Sequence, residues 1–153
     1  MRLLQILTVS FSLISFSATT FAGAVLDIVN PEVSINQKSQ RGYIPITNIG
    51  NESGTFIVQV KNITDPQHVI TYSNKELKSL PVIISPLLIP NLGAGNNKRV
   101  SVRKKGKIET PMKLQIVISE YKKPVDNNGD IADDAAGIDI QGSIHYIANI
   151  DVA

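Results

Sequence analysis

MKLQIVISEY, residues 112–121, alternates apolar and polar side chains along most of its length. The apolar side chains that fall at every second position are Met112, Leu114, Ile116 and Ile118. Because successive side chains of a strand point to opposite faces, this pattern predicts a β-strand with one face buried. The fold class depends on how often the same pattern recurs in the rest of the chain.

The alternation returns in short segments on both sides of this strand. Residues 55–60 read TFIVQV, and alternating runs occupy residues 99–103 and 138–152. Turn-forming residues separate the segments, most clearly GAGNN at residues 93–97, and only residues 74–80 suggest a short helix. Seven or more short strands divided by turns predict an all-β fold, an antiparallel β-sandwich.

Prolines predict where strands are interrupted. Residues 25–29 are apolar and end at Asn30 and Pro31, and residues 33–35 continue beyond them. A proline removes one hydrogen-bond donor, so we expect this edge strand to be split into two pieces. Residues 81–90, PVIISPLLIP, are expected to be an extended edge-type segment. The predicted core is the set of apolar residues in the alternating runs: Leu26, Ile46, Phe56, Val58, Val100, Leu114, Ile116 and Ile144.

Composition narrows the classes of function. The chain has 153 residues, enough for one domain, and its formal net charge of +2 argues against a nucleic-acid partner. It has no Cys, so disulfides and thiolate metal sites are excluded, and its two His lie in no catalytic or metal-binding motif. We therefore expect a binding or structural domain that is not an enzyme and has no cofactor or metal.

The first 22 residues have the composition of a secretory signal peptide. Arg2 precedes an apolar run, and small residues follow it up to Ala22. We expect cleavage after Ala22, although cleavage after Ala24 also fits, and we favour both over a membrane anchor because the run is short. Residues 23–153 are then a single exported, periplasmic domain with no membrane span.

A basic segment, residues 98–107, reads KRVSVRKKGK. It is either a surface for an acidic partner or the solvated end of an edge strand. We favour the second interpretation, since lysines on an edge strand discourage aggregation between edges.

The order of these features resembles the amino-terminal domain of the PapD-like periplasmic pilus chaperones. The resemblance covers about residues 24–152. It is carried by Ala24 to Asp27, by Ile46-Thr47-Asn48 with Gly50 and Phe56, by Ser85-Pro86-Leu87 to Leu92 with Gly95, Val100 and Val102, and by Ile116 to Glu120 with Pro124. It implies an immunoglobulin-like β-sandwich of about seven antiparallel strands.

The resemblance also implies a role for the last strand, which in the family lends alternating apolar side chains to an incomplete subunit by strand addition. The corresponding strand-donor residues here are Ile138, Ile140, Ile144 and Tyr146. For Ile144 and Tyr146 we favour burial over the chain's own core. For Ile138 and Ile140 burial and donation are equally well supported.

Two departures from the family pattern stand beside the resemblance. The family has a second sandwich domain, and this chain ends where that domain is expected to begin. The family also anchors a terminal carboxylate with an Arg on the first strand and a Lys on the seventh. Pro31 or Glu32 stands at the Arg position, and His145, a candidate anchor, stands at the Lys position.

The sequence therefore favours a periplasmic chaperone-like protein that binds pilus or fimbrial subunits by strand addition and assists their assembly. The alternative is a structural pilus or surface subunit of the same sandwich class. The expected partners are a pilus subunit or another extracytoplasmic protein, with an outer-membrane usher as a further candidate. A homodimer through exposed edge strands is left open.

Overall fold

A computed structural model of the chain describes residues 23–122 and 144–153. The strands in these residues are β1 Leu26–Ile28, β2 Glu32–Ile35, β3 Arg41–Asn48, β4 Gly54–Asn62, β5 Ile70–Thr71, β6 Val82–Ser85, β7 Leu88–Leu92, β8 Asn97–Lys104, β9 Met112–Glu120 and β10 His145–Val152. One 3₁₀ helix, Glu76–Ser79, lies within the segment in which the sequence predicts a short helix.

The strands form two sheets. The four-stranded sheet has the order β1-β3-β8-β6. The six-stranded sheet has the order β2-β10-β9-β4-β5, and β7 also pairs with β4. The pairings are antiparallel except that of β2 with β10, which is parallel. The prediction of an all-β sandwich is confirmed, and two of the predicted strands, residues 25–35 and 81–90, are each divided into two.

Both divisions carry the chain from one sheet to the other. The first follows β1, at Asn30 and Pro31, where Asn30 has a φ of 55° and the chain enters β2 of the six-stranded sheet. The second lies between β6 and β7, at the cis Ser85–Pro86 bond. The predicted split of the first strand is thus confirmed, and its two pieces belong to different sheets.

The core lies between the sheets and contains the inward-facing members of the alternating runs. In β9, Leu114, Ile116 and Ile118 are completely buried. Of the eight predicted core residues, all but Ile144 are buried. The prediction for Ile144 is wrong: it is 64% exposed, because it precedes β10 and lies outside the ladder with β9 that begins at His145. The buried side chains of β10 are Ala148, Ile150 and Val152.

Asn48, at the end of β3, is a buried polar residue with a complete set of partners. Its Oδ1 accepts hydrogen bonds from the backbone N–H groups of Val25 at 3.2 Å and Gly50 at 3.0 Å. Its Nδ2 donates to the carbonyl oxygens of Glu52 at 2.7 Å and Leu92 at 2.8 Å. One side chain therefore joins the segment before β1, the turn after β3 and the end of β7.

Only part of the basic segment has a partner strand on both sides. Among the described residues, β8 pairs with β3 from Asn97 to Arg103, and with β6 on the other side only from Ser101 to Lys104. The interpretation of the segment as the end of an edge strand is therefore wrong for residues 101–103, whereas residues 98–100 have a partner strand on one side only. The sequence could not reveal this, because both neighbours of β8 come from distant parts of the chain.

Candidate functional site

The candidate site is the part of β10 that has a partner strand on one side only. β9 pairs with β10 along its whole length, from His145 to Val152. β2 pairs with the other side of β10 only from Asn149 to Val152. On that side, the backbone of residues 145–148 pairs with no strand among the described residues. We call this stretch the open edge.

Pro31 explains why the pairing with β2 stops where it does. The N–H of Asn149 donates to the carbonyl of Pro31 at 2.6 Å. In a parallel ladder, the next bond would join the carbonyl of Ile147 to the N–H of residue 31, and proline has no N–H. The same proline that precedes β2 therefore leaves the first half of β10 uncovered.

The open edge presents backbone groups that a further strand can use. The N–H groups of Asn149 and Ala153 both point toward β2, since they donate to Pro31 and Ile35. Backbone directions repeat every second residue along a strand, so the N–H and C=O groups of His145 and Ile147 point to the same side. No described residue accepts from or donates to these four groups.

Apolar side chains adjoin the open edge. Ile147 is 49% exposed and faces outward, directly opposite Val117 of β9. Ile144, which precedes the strand, is exposed as described above. Ile147 is not among the site residues predicted from the sequence, although the sequence contains a signal for it: it is an apolar residue at a position where the alternation predicts a polar one.

Tyr146 has a role inside its own domain. Its side chain is half-buried against the core, and its hydroxyl oxygen accepts a hydrogen bond from the N–H of Leu26 at 3.0 Å. The predicted burial of Tyr146 is thus partly confirmed, and its role as a strand donor stays a prediction. Ile138 and Ile140 lie outside the described residues, and their proposed role as donors stays a prediction.

The candidate anchor positions do not come together. Glu32 is in register with Asn149, four residues from His145 along β10. At about 3.3 Å per residue, this separates the two positions by about 13 Å along the strand. His145 is exposed and pairs in register with Ser119. Residue 32 is a glutamate, so it does not supply a cation next to His145. An anchoring role for His145 stays a prediction.

Perturbed carboxyl groups lie away from the open edge. The side chain of His68 lowers the pKa of Asp65, and the hydroxyl of Ser73 lowers the pKa of Glu76. Both carboxyl groups are fully exposed, and their hydrogen bonds are made within local turns.

Residues 23–122 and 144–153 contain no group of three His, Asp or Glu residues that could hold a metal ion. No helix in those two ranges is long and apolar enough to cross a membrane.

Comparison with known proteins rests on structure alone, since no protein-family model and no curated protein matches the sequence. A chain of the chaperone–tip adhesin complex of CFA/I fimbriae aligns with a TM-score of 0.61 at 14% identity, over 84% of this chain and 55% of that chain. The class 5 fimbriae chaperone CfaA aligns with a TM-score of 0.57 at 14% identity, over 83% and 55% of the two chains.

A third neighbour is PapD-like domain 7 of human CEP192, with a TM-score of 0.51 at 10% identity over 95% of each chain. The chain spans about half the length of the fimbrial chaperone structures it matches. The sequence-based resemblance is confirmed at the level of fold: the chain has the immunoglobulin-like sandwich of PapD-like chaperones. Structural matches at identities this low show only that the fold is shared. The function has to be argued from the residues of the candidate site.

Proposed function

We propose that the protein is an exported chaperone-like protein of the periplasm that binds a pilus or fimbrial subunit by strand addition at the open edge. The observation that carries this proposal is that β2 covers only half of β10, so that the backbone groups of His145 and Ile147 have no hydrogen-bond partner among residues 23–122 and 144–153. Two fold neighbours, a chaperone–tip adhesin complex and a fimbriae chaperone, support the same class of partner. An outer-membrane usher is a further partner within this proposal.

The geometry indicates how an extended segment binds. A strand laid beside residues 145–148 exchanges backbone hydrogen bonds with β10, each worth about 0.5–1.5 kcal/mol net. Such bonds alone offset little of the cost of association, so apolar burial must contribute. Ile144 and Ile147 are the exposed apolar side chains at this place, and burying them supplies that contribution.

The alternative, a structural subunit of the same sandwich class, has less support. A subunit that requires a donated strand lacks its own last strand. Here β10 pairs with β9 over eight residue positions and contributes Ala148 and Ile150 to the core. We also propose a binding role rather than an enzymatic one. The proposal rests on an unpaired strand edge, which is suited to binding another strand.

Site-specific crosslinking tests the proposal. A photo-crosslinking amino acid is placed at Ile147 and, as a matched control, at Ile70 of β5, which is 52% exposed at the opposite end of the six-stranded sheet. The full chain is expressed in its host, irradiated, and its adducts are identified by mass spectrometry. We expect a subunit adduct at position 147 and none at position 70. Equal yields at the two positions, or an adduct of the protein with itself alone, would contradict the proposal.

A further inference from the structure

A second surface is defined by arginine. The sequence has four arginines, and the three that follow Arg2 are Arg41, Arg99 and Arg103. Ile44, Val100 and Val102 are completely buried. Because side chains alternate along a strand, the three arginines therefore point away from the core. They lie together on the outer face of the four-stranded sheet, which we call the arginine face.

The arrangement of these arginines is unfavourable for the isolated domain. Arg41 of β3 lies directly opposite Arg103 of β8. Like charges at directly opposed positions destabilise a sheet. Within residues 23–122 and 144–153, no carboxylate lies within 4.0 Å of these guanidinium groups. The three guanidinium groups therefore form no ion pair with the described residues.

Two ordinary explanations do not account for the arginine face. Protection of a sheet edge does not account for Arg103, because this residue of β8 pairs with β3 on one side and with β6 on the other. Lysine serves solubility as well as arginine does, yet the cations of β8 on this face are both arginines. Lys98 and Lys104 alternate with them along the strand and are in register with the buried Ile46 and Val82. Arginine differs from lysine in its planar fork of donors, which binds carboxylates through two parallel hydrogen bonds.

The face also has a recess of a suitable size. Short side chains form its floor: Ser101 lies opposite Tyr43 on one side and Ser85 on the other, and the Ser101 hydroxyl donates to the Ser85 carbonyl at 3.0 Å. Arg41, Tyr43, Arg103 and the apolar Ile83 surround this floor, and the recess between them has a volume of about 340 Å³. A side-chain carboxylate placed over Ser101 meets guanidinium groups from two adjacent strands.

We propose that the arginine face binds an acidic segment of a partner protein. An anionic membrane is the other source of negative charge, but membrane-binding surfaces use clusters of about four to eight cations. Here only three arginines share the face, and Asp27 of β1 points to the same side of the sheet. A few carboxylates on an extended segment fit this spacing. The surface lies on the opposite sheet from the open edge, so it stands independently of the strand-addition proposal.

Nuclear magnetic resonance titration tests the inference. The exported protein, labelled with ¹⁵N, is titrated with a synthetic peptide that alternates Glu and Val, and separately with the same peptide carrying Gln for Glu. Vesicles of phosphatidylglycerol provide the membrane comparison. The variants are Arg41→Gln/Arg103→Gln, Arg41→Lys/Arg103→Lys, and the charge-matched control Lys61→Gln/Lys113→Gln on the other sheet.

We expect the Glu peptide to shift the amide signals of Tyr43, Ser101 and their neighbours, and the Gln peptide to leave them unchanged. Removing the arginine pair should weaken binding by about tenfold or more, as expected for charge-assisted hydrogen bonds. Lysine at both positions should recover only part of the affinity, because it lacks the fork. The lysine control should remain within about twofold of the wild type, since distant surface charges are screened.

Several results would overturn the inference. Equal shifts with the Glu and Gln peptides would do so, as would shifts confined to β10. An equal loss of binding in the lysine control would show that only total charge matters. Arginine-dependent binding to vesicles, with no binding of the Glu peptide, would assign the face to a membrane surface instead.

Discussion

Replacing Asn48 with alanine should destabilise the domain more than any other single polar substitution among the described residues. The side chain makes four hydrogen bonds, and the one to the carbonyl of Leu92 is fully buried. Leaving that carbonyl without a donor costs about 1–3 kcal/mol. The other three partners are partly buried, so losing each bond costs about 0.5–1 kcal/mol. The expected loss is therefore about 2.5–6 kcal/mol.

Urea unfolding followed by circular dichroism measures this loss. Asn51→Ala is the matched control, because Asn51 accepts a single exposed hydrogen bond from the N–H of Gly23 at 2.9 Å. We expect the control to lose less than about 1 kcal/mol. If Asn48→Ala also lost less than about 1 kcal/mol, the hydrogen bonds of Asn48 would not be what holds these segments together.

The variant Asn48→Asp should make the stability of the folded domain depend on pH. A carboxylate there faces the carbonyl oxygens of Glu52 and Leu92, which accept hydrogen bonds and cannot donate them. Burial and these carbonyls raise the pKa of the introduced carboxyl in the folded state, while the N–H groups of Val25 and Gly50 on its other oxygen act in the opposite direction; we expect the first effect to be the larger because two acceptors are left facing a charge of like sign. The variant should therefore be closest to the wild type at acidic pH and should lose stability relative to it as the pH rises. A pH-independent difference would contradict this reasoning.

Three further predictions address the core, export and the anchor. Phe56 is completely buried, so Phe56→Ala should cost about 3–5 kcal/mol in urea unfolding, and a loss under about 1 kcal/mol would contradict its place in the core. Amino-terminal sequencing of exported protein should begin at Gly23, whereas a product that retains Leu13 would refute the signal peptide. His145→Ala should change partner binding little in a co-purification assay, while Ile140→Asp should weaken it strongly, because a carboxylate does not enter an apolar pocket without cost. If a folded His145→Ala protein lost binding while Ile140→Asp kept it, an anchor at His145 would explain recognition better than strand donation.

The parts of the fold that depend on local pattern could be predicted from the sequence. The alternation in residues 112–121 is confirmed in β9, and the interruption at Pro31 is confirmed between β1 and β2. Both signals are local, since side-chain direction and the missing N–H of proline are set within a few residues.

The parts that depend on which strands become neighbours could not be predicted. The composition of the basic segment suits an edge, but pairing with both β3 and β6 places residues 101–103 inside a sheet. The open edge likewise follows from where β2 ends beside β10, residues far apart in the chain. Ile144 continues the apolar alternation and yet is exposed, because the alternation extends beyond the paired strand.

Hydrogen exchange at single amides tests strand addition most directly. The partner captured at position 147 is added to the exported protein, and exchange is compared with that of the free protein. We predict slower exchange at the amides of His145 and Ile147, whose N–H groups point out of the open edge, and unchanged exchange at Ile83 and Ile84 of β6, which lies at an edge of the other sheet. Slowing at β6 with no change at His145 and Ile147 would contradict the account.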